Sequence, residues 1–162
     1  MKKKEIKSTF YEYDSLSELN GSQQQLIEEA LRATDKAYAP YSDFFVGAAV
    51  LMKNNKLLHA SNQENSAYPS GLCAERTAVF YANAQYPDIP VTAIAIAARK
   101  DGKTVREPIP PCGSCLQVLL ESQRRHKTPM QVILYGSEKI YVAENIEQFL
   151  PYGFSAVNLR SG

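Results

Sequence analysis

The chain holds three cysteines, Cys73, Cys112 and Cys115, and Cys112 and Cys115 are separated only by Gly113-Ser114. Thiolates are strong zinc ligands: four of them close a structural site, whereas three leave the fourth position of the ion open. Glu75 follows Cys73 by two residues. A carboxylate beside an open metal position can take a proton from water and hand it on, which is general acid/base work joined to metal activation of a nucleophile. Cys73-Ala74-Glu75 read with Pro111-Cys112-Gly113-Ser114-Cys115 therefore points to zinc-dependent hydrolysis. A redox Cys-x-x-Cys pair would explain neither the third cysteine nor the glutamate. The two histidines do not offer a fourth ligand. His59 is predicted mid-strand after a hairpin and His126 in a Lys/Arg-rich helix end, so both read as surface or packing residues.

The thiols need help to ionise. If a helix begins at Cys112, Cys112 and Cys115 share a face of its first turn, and the free N–H groups there favour thiolate. Cys73 precedes a second predicted helix in the same way. Three thiolates on one zinc leave a net charge of roughly −1, which opposes ionisation of a metal-bound water. Arg76, next to Glu75, can offset it by donating to the ligand sulfurs. Cys73 and Glu75 do not share a helical face, so Glu75 is expected to meet the water and not the metal.

The elements around these residues follow from periodicity and breakers. Ser22-Gln23-Gln24-Gln25 reads as a capping box, opening a helix through Leu26, Ile27, Ala30 and Leu31 that stops near Ala39 before Pro40. Pro40-Tyr41-Ser42-Asp43 is a turn, Phe44 to Met52 a buried strand, Lys53 to Lys56 a hairpin turn, and Leu57 to Glu64 the returning strand. Ala74 to Ala84 is helical, Val91 to Ala98 a central strand, and Arg99 to Glu107 a polar loop. Cys115 to Arg124 is a further helix, Gln131 to Tyr135 and Lys139 to Val142 are short strands, and Ile146, Phe149 and Leu150 mark a short terminal helix. This order predicts an α/β protein, a three-layer α/β/α arrangement with a mixed central sheet. Residues 1–20 form an N-terminal extension, an edge strand or a loose arm; 21–155 form one domain, and 156–162 a C-terminal tail.

With 162 residues, 44% apolar and 22% charged, the chain suits one domain with a real core. Eighteen Lys and Arg against 17 Asp and Glu give a net charge of +1, unlike the basic excess of a nucleic-acid binder. No apolar run approaches the ~20 residues of a bilayer span, and no apolar signal region follows Lys2-Lys3-Lys4. An odd number of cysteines argues against a disulfide framework, and the expected compartment is the cytoplasm.

Cys-Ala-Glu followed by Pro-Cys-x-x-Cys resembles the zinc nucleobase-deaminase signature, in its all-cysteine form. The likeness extends to Tyr38-Ala39-Pro40-Tyr41-Ser42-Asp43-Phe44-Phe45-Val46-Gly47-Ala48-Ala49, to Asn62-Gln63-Glu64-Asn65-Ser66-Ala67-Tyr68-Pro69 and to Leu150-Pro151-Tyr152-Gly153-Phe154. These blocks are similar to those of the small cytidine deaminases and span residues 22–155. The resemblance implies one Zn²⁺ per subunit on Cys73, Cys112 and Cys115, and hydrolysis of cytidine and deoxycytidine to the uridines plus ammonia, in pyrimidine salvage. It implies attack of zinc-bound hydroxide on C4 of the base with Glu75 as proton shuttle. The Ala74 N–H would take the base O2, Phe44 would pack on the base, and Asn62 and Glu64 would hold the ribose hydroxyls. Phe154 would approach a neighbouring subunit's site in a homotetramer. Strand alternation is consistent with Asn62 and Glu64 sharing a face.

Two positions depart from the family pattern. Gln63 stands for the usual Val or Ile and should face away from the sugar. Leu116 stands where Arg is common, which shifts the balancing of the thiolates onto Arg76 and Gln117. The rival readings are a same-fold deaminase of another aminopyrimidine nucleoside of blasticidin-S type, a nucleic-acid-editing deaminase, and a structural zinc module. Asn62-x-Glu64, the near-neutral charge, and the open position with Glu75 argue against them in turn.

Overall fold

A computed structural model of the chain describes residues 1–156 and Leu159. Of the tail expected over 156–162, residues 157, 158 and 160–162 lie outside the described residues. The elements are β1 (Tyr11–Tyr13), α1 (Gly21–Ala33), β2 (Phe44–Met52), β3 (Leu57–Ser61), α2 (Ala74–Gln85), β4 (Val91–Lys100), β5 (Lys103–Thr104), α3 (Gly113–His126), β6 (Gln131–Tyr135) and β7 (Ile140–Ala143). They form a seven-stranded sheet in the order β1-β7-β6-β4-β2-β3, with β5 on β4. β4 and β6 run parallel, joined across α3, and the other described pairs run antiparallel, so the sheet is mixed.

The three layers follow from the alternation of β4. Ala93, Ala95 and Ala97 face α1, where they join Leu26, Ile27 and Ala30. Ile94 and Ile96 face the other way, against Ala78, Val79 and Ala82 of α2 and Leu119 and Leu120 of α3. Small residues on one face and branched ones on the other let a single helix sit close while two helices share the opposite side. The approach of α1 is closest at Gly47 of β2: a Cβ there would lie 1.9 Å from the Ala30 carbonyl oxygen and 2.9 Å from Thr34 N.

Several boundaries differ from the sequence expectation. The cap of α1 is Asn20, not Ser22. Asn20 Oδ1 accepts from Gln23 N at 3.0 Å, and Gln23 Oε1 accepts from Asn20 N at 3.1 Å. The same box spacing occurs two residues earlier, and asparagine is at least as good an N-cap as serine. The helix ends at Ala33 and tightens into a 3₁₀ turn over Thr34–Lys36, short of Ala39. There the Thr34 hydroxyl donates back to Leu31 O at 2.7 Å. β4 runs on to Lys100 because Phe44 and Phe45 supply partners for Lys100 and Arg99. What read as a polar loop is a tight hairpin into β5, with Asp101 (φ 51°) and Gly102 (φ 72°) both left-handed as such turns require. The terminal helix is a single 3₁₀ turn over Ile146–Gln148.

Of the alternatives for the N-terminal extension, an edge strand forms at Tyr11–Tyr13, paired with β7. Glu12 Oε1 accepts from Lys139 Nζ at 2.9 Å, Thr9 N donates to Gln148 Oε1 at 2.7 Å, and the Phe10 ring meets that of Phe149 edge-on at 4.8 Å. No described helix is long and apolar enough to cross a membrane.

Candidate active site

Both helix N-termini on the two-helix face carry the thiols. Cys73 is the N-cap of α2, Cys112 is the N-cap of α3, and Cys115 lies in the first turn of α3. Neither N-cap sulfur makes a capping bond to the backbone of its own helix, so the sulfurs can turn to a metal while the helix dipoles favour their charged form. Cys73 Sγ lies 3.9 Å from Cys112 Sγ, and Cys112 Sγ lies 3.5 Å from Cys115 Sγ; all three sulfurs fall within 4.8 Å of one another. Sulfurs bound tetrahedrally at about 2.3 Å from zinc would stand about 3.8 Å apart. The donor set thus fits zinc in both chemistry and spacing. Cys115 is fully buried, Cys73 half-buried and Cys112 exposed, so the cluster opens to one side. Among the described residues, no histidine or carboxylate joins these three as a ligand group. His59 Nδ1 instead meets Glu29 Oε2 at 2.9 Å, and His126 ends α3.

The cluster's charge is balanced unevenly. The Cys73 thiol is held down to about 5, chiefly by the hydrogen bond from Cys115 and, against its partial burial, by Arg76 and Cys112. Cys115 is pushed far up, since its thiol serves Cys73 and is itself desolvated. The surroundings thus favour the ionised form at Cys73 and the protonated form at Cys115. Arg76 Nη2 donates to Cys73 Sγ at 3.8 Å, while Arg76 Nε is buried without a partner. Leu116 packs against the apolar core and brings no charge to the sulfurs. Gln117 does not reach them: its Nε2 donates to Phe154 O at 3.0 Å, because two residues beyond Cys115 on a helix point to a different face.

Glu75, second residue of α2, is 5% exposed. Burial pushes its carboxyl above the usual carboxylate range; its own backbone N–H pulls the other way, and a Cys73 thiolate adds to the rise. Ala74 is the first residue of the same helix, where a backbone N–H has no intrahelical acceptor.

A cavity of about 500 Å³ opens beside the thiols, and Asn62, Glu64, Tyr41, Ser42, Cys73 and Arg76 are among its lining residues. Its floor is a short ladder. β3 ends at Ser61, earlier than expected, because the Asn62 side chain replaces a strand partner: Oδ1 accepts from Val46 N at 2.8 Å and Nδ2 donates to Phe44 O at 2.9 Å. Residues 62–64 are then gripped on both sides. Tyr38 N donates to Asn62 O at 3.0 Å and Glu64 N to Tyr38 O at 2.8 Å. Gln63 and Leu72 exchange two bonds of 2.9 Å each. Leu72 immediately precedes Cys73, so the ladder sets the distance between the polar pair and the first thiol. The Gln63 amide is tied to Lys36 O and Ser61 Oγ, at 3.3 and 3.2 Å.

Ser42 is a site residue that sequence reasoning passed over as part of a turn. Its Oγ donates to Glu64 Oε1 at 2.5 Å and accepts from Phe44 N at 3.1 Å. The available signal was a serine two residues before the aromatic it anchors, in a turn next to a polar strand end. Phe44 is half-buried at the start of β2. Phe154 is 58% exposed and lines a different cavity, with Lys4, Ile6, Arg124 and Tyr152 among its neighbours. The backbone before it is pinned at Gly153, where a Cβ would lie 2.4 Å from Leu120 Cδ2.

Residues 20–130 match the family described as the cytidine and deoxycytidylate deaminase zinc-binding region. A cytidine deaminase of Halalkalibacterium halodurans is 47% identical over 98 residues, which are 60% of this chain and 70% of that protein. A cytidine deaminase of Sporosarcina psychrophila is 43% identical over 98 residues, 60% of this chain and 68% of that protein. Among solved structures, a cytidine deaminase from Burkholderia pseudomallei superposes with a TM-score of 0.69 at 39% identity, covering 80% of this chain and 97% of its own. One from Mycobacterium tuberculosis gives 0.66 at 29% identity, covering 84% and 99%. The fold is that of these solved cytidine deaminases, and the clustered thiols lie within the zinc-binding region that the family model matches. The chain belongs to the cytidine and deoxycytidylate deaminase family.

Proposed function

We infer that the chain is a zinc-dependent hydrolase that converts cytidine and deoxycytidine to uridine and deoxyuridine with release of ammonia. The observation that carries this reading is that one cavity is lined both by Cys73 and by the polar pair Asn62 and Glu64. A metal-activated water and a sugar-binding pair on a shared wall are what a nucleoside, as opposed to a free base, requires. Bound by Cys73, Cys112 and Cys115, zinc supplies the Lewis acidity that makes water a nucleophile near neutral pH.

The chain's own groups supply the rest. Glu75 takes a proton from the water, delivers it to N3 of the cytosine as C4 is attacked, and then carries the second proton to the departing amine. The proton count closes on ammonia and a carbonyl at C4. Its burial, which raises the carboxyl toward working pH, suits a group that must take and give the same proton. Arg76 stabilises the Cys73 thiolate. The Ala74 N–H receives O2 of the base, Phe44 covers the ring, and Asn62 and Glu64 receive the sugar hydroxyls.

The reading includes a homotetramer in which Phe154 enters a neighbour's site. Its support is the exposure of the aromatics Tyr41, Tyr68, Phe80, Tyr81, Tyr152 and Phe154, among which the Tyr41 and Tyr68 rings meet edge-on at 6.0 Å. It also includes a cytoplasmic location, where thiols remain reduced, and a place in pyrimidine salvage. Nucleic acid and membrane are not partners in it. An ultraviolet assay of zinc-loaded protein on cytidine, deoxycytidine and cytosine, with and without chelator, tests the function: both nucleosides turn over, cytosine does not, and chelator abolishes activity. No turnover of either nucleoside overturns it. Sedimentation velocity tests the assembly, and a monomer at micromolar concentration refutes it.

A further inference from the structure

We propose that Ser42 is a positioning residue that fixes the Glu64 carboxylate for the sugar, an inference resting on the reading of Glu64 as a sugar ligand. A serine hydroxyl has one proton and rotates freely unless something accepts or donates on both sides. Here both sides are taken. Phe44 N–H donates to Oγ at 3.1 Å, and Oγ then aims its proton at Glu64 Oε1 at 2.5 Å. The other carboxylate oxygen accepts from Tyr41 N at 2.9 Å and from Ser42 N at 3.4 Å. A carboxylate offers about four acceptor positions, and these three bonds leave one, on a side chain that lines the cavity.

The clasp reaches past Glu64. Phe44 gives its N–H to Ser42 and its carbonyl to Asn62 Nδ2 at 2.9 Å. The backbone of the aromatic expected over the base is therefore tied to the Asn62 side chain on one side and to the Ser42 hydroxyl, the anchor of Glu64, on the other. The turn that holds Ser42 ends at Asp43, whose φ of 51° is left-handed and whose N–H donates to Ala39 O at 3.1 Å. A non-glycine residue keeps that conformation only where its surroundings hold it, and the Glu64 contacts to Tyr41 and Ser42 are part of what does so. The same contacts hold the Glu64 carboxyl below the usual carboxylate range, so it stays ionised as an acceptor.

Steady-state kinetics of the zinc-loaded enzyme on cytidine test this with four variants: Ser42→Ala, Ser42→Thr, Glu64→Gln and the double variant Ser42→Ala/Glu64→Gln. Ser42→Ala should raise KM about tenfold, with kcat changed less than twofold, as expected for loss of a hydrogen bond to a charged group. Ser42→Thr, which keeps the hydroxyl, should restore KM to within threefold. The double variant should show the KM of Glu64→Gln alone. Multiplying effects in the double variant, or a fall in kcat with no change in KM for Ser42→Ala, would assign Ser42 a merely structural role and overturn the proposal. A Glu64→Gln variant with unchanged KM would overturn the sugar reading itself and the proposal with it. A raised KM in Glu64→Gln beside an unaffected Ser42→Ala would sink the proposal alone.

Discussion

Replacing Glu75 by Gln is the sharpest test of the chemistry. The side chains have the same shape, so the change removes a proton carrier and a buried charge without opening a cavity. Glu75 is 5% exposed and its carboxyl is raised by burial, which means the folded state disfavours its ionised form. For an acid raised on folding, the native state binds more protons than the unfolded chain between the two values, so stability falls as pH rises through that window. The Gln variant lacks this loss, and near neutral pH it should be at least as stable as the parent. Its zinc content should stay at one per chain, because Glu75 is not among the three sulfur ligands. Its turnover should collapse. Glu75 serves two proton deliveries, each contributing about 10²–10⁴ as general acid/base catalysis; even at the lower bound for each, the combined loss is about 10⁴ in kcat, or roughly 5.4 kcal/mol of barrier. Thermal unfolding, metal analysis and the absorbance assay on one preparation separate the three claims. A zinc-loaded variant with kcat within tenfold of the parent would refute the proton-carrier role. Loss of zinc from a folded variant would refute the placing of Glu75 off the metal.

Three further outcomes are expected. Cys112→Ala should lose zinc and all activity, as measured by metal analysis after gel filtration; tight one-to-one retention of zinc would contradict the ligand set. In zinc-stripped protein, Cys73, held down to about 5, should be alkylated at pH 6 roughly tenfold faster than an unperturbed thiol, the gain in thiolate outweighing its lower intrinsic nucleophilicity. Zinc should block that reaction and Arg76→Gln should slow it, whereas mass-spectrometric mapping of the fast label to Cys115 would reverse the charge assignment. Gly47→Ala forces a methyl group into the Ala30 carbonyl; it should cost about 1–3 kcal/mol of overpacking, visible as a lower denaturant midpoint, and an unchanged midpoint would show that α1 can move away.

The thiol cluster was legible from the chain because its logic is local. Cys112 and Cys115 are brought together by one turn of α3, and Cys73 was marked by the carboxylate beside it. Strands β2 and β6 were legible to the residue, since long apolar runs bounded by turns leave little choice of register. Less was readable where side chains compete with the backbone. Asn62 reads as a strand residue, yet its amide displaces a strand partner and ends β3 at Ser61. Asn20 and Ser22 offer equivalent capping boxes by spacing, and only the packing of α1 on the sheet distinguishes them. The alternatives for the N-terminal extension were open because an edge strand of three residues has almost no signal of its own; β7 supplies its partners.

By itself, the sequence singled out the three thiols, the carboxylate beside them, the layer order and the family, because each is written in residue types at short, fixed spacings. The tertiary structure alone decided where the ligands meet. It brought the N-termini of α2 and α3 to one point, with sulfurs 39 residues apart in the chain at 3.9 Å. Through the Gln63–Leu72 exchange it fixed the polar pair beside Cys73. It also turned Gln117 away from the sulfurs to Phe154, and Ser42 toward Glu64. The physical reason is the same in each case: a hydrogen bond or a metal site needs distances good to a few tenths of an ångström, and across long loops such distances are set by the packed layers and not by sequence separation.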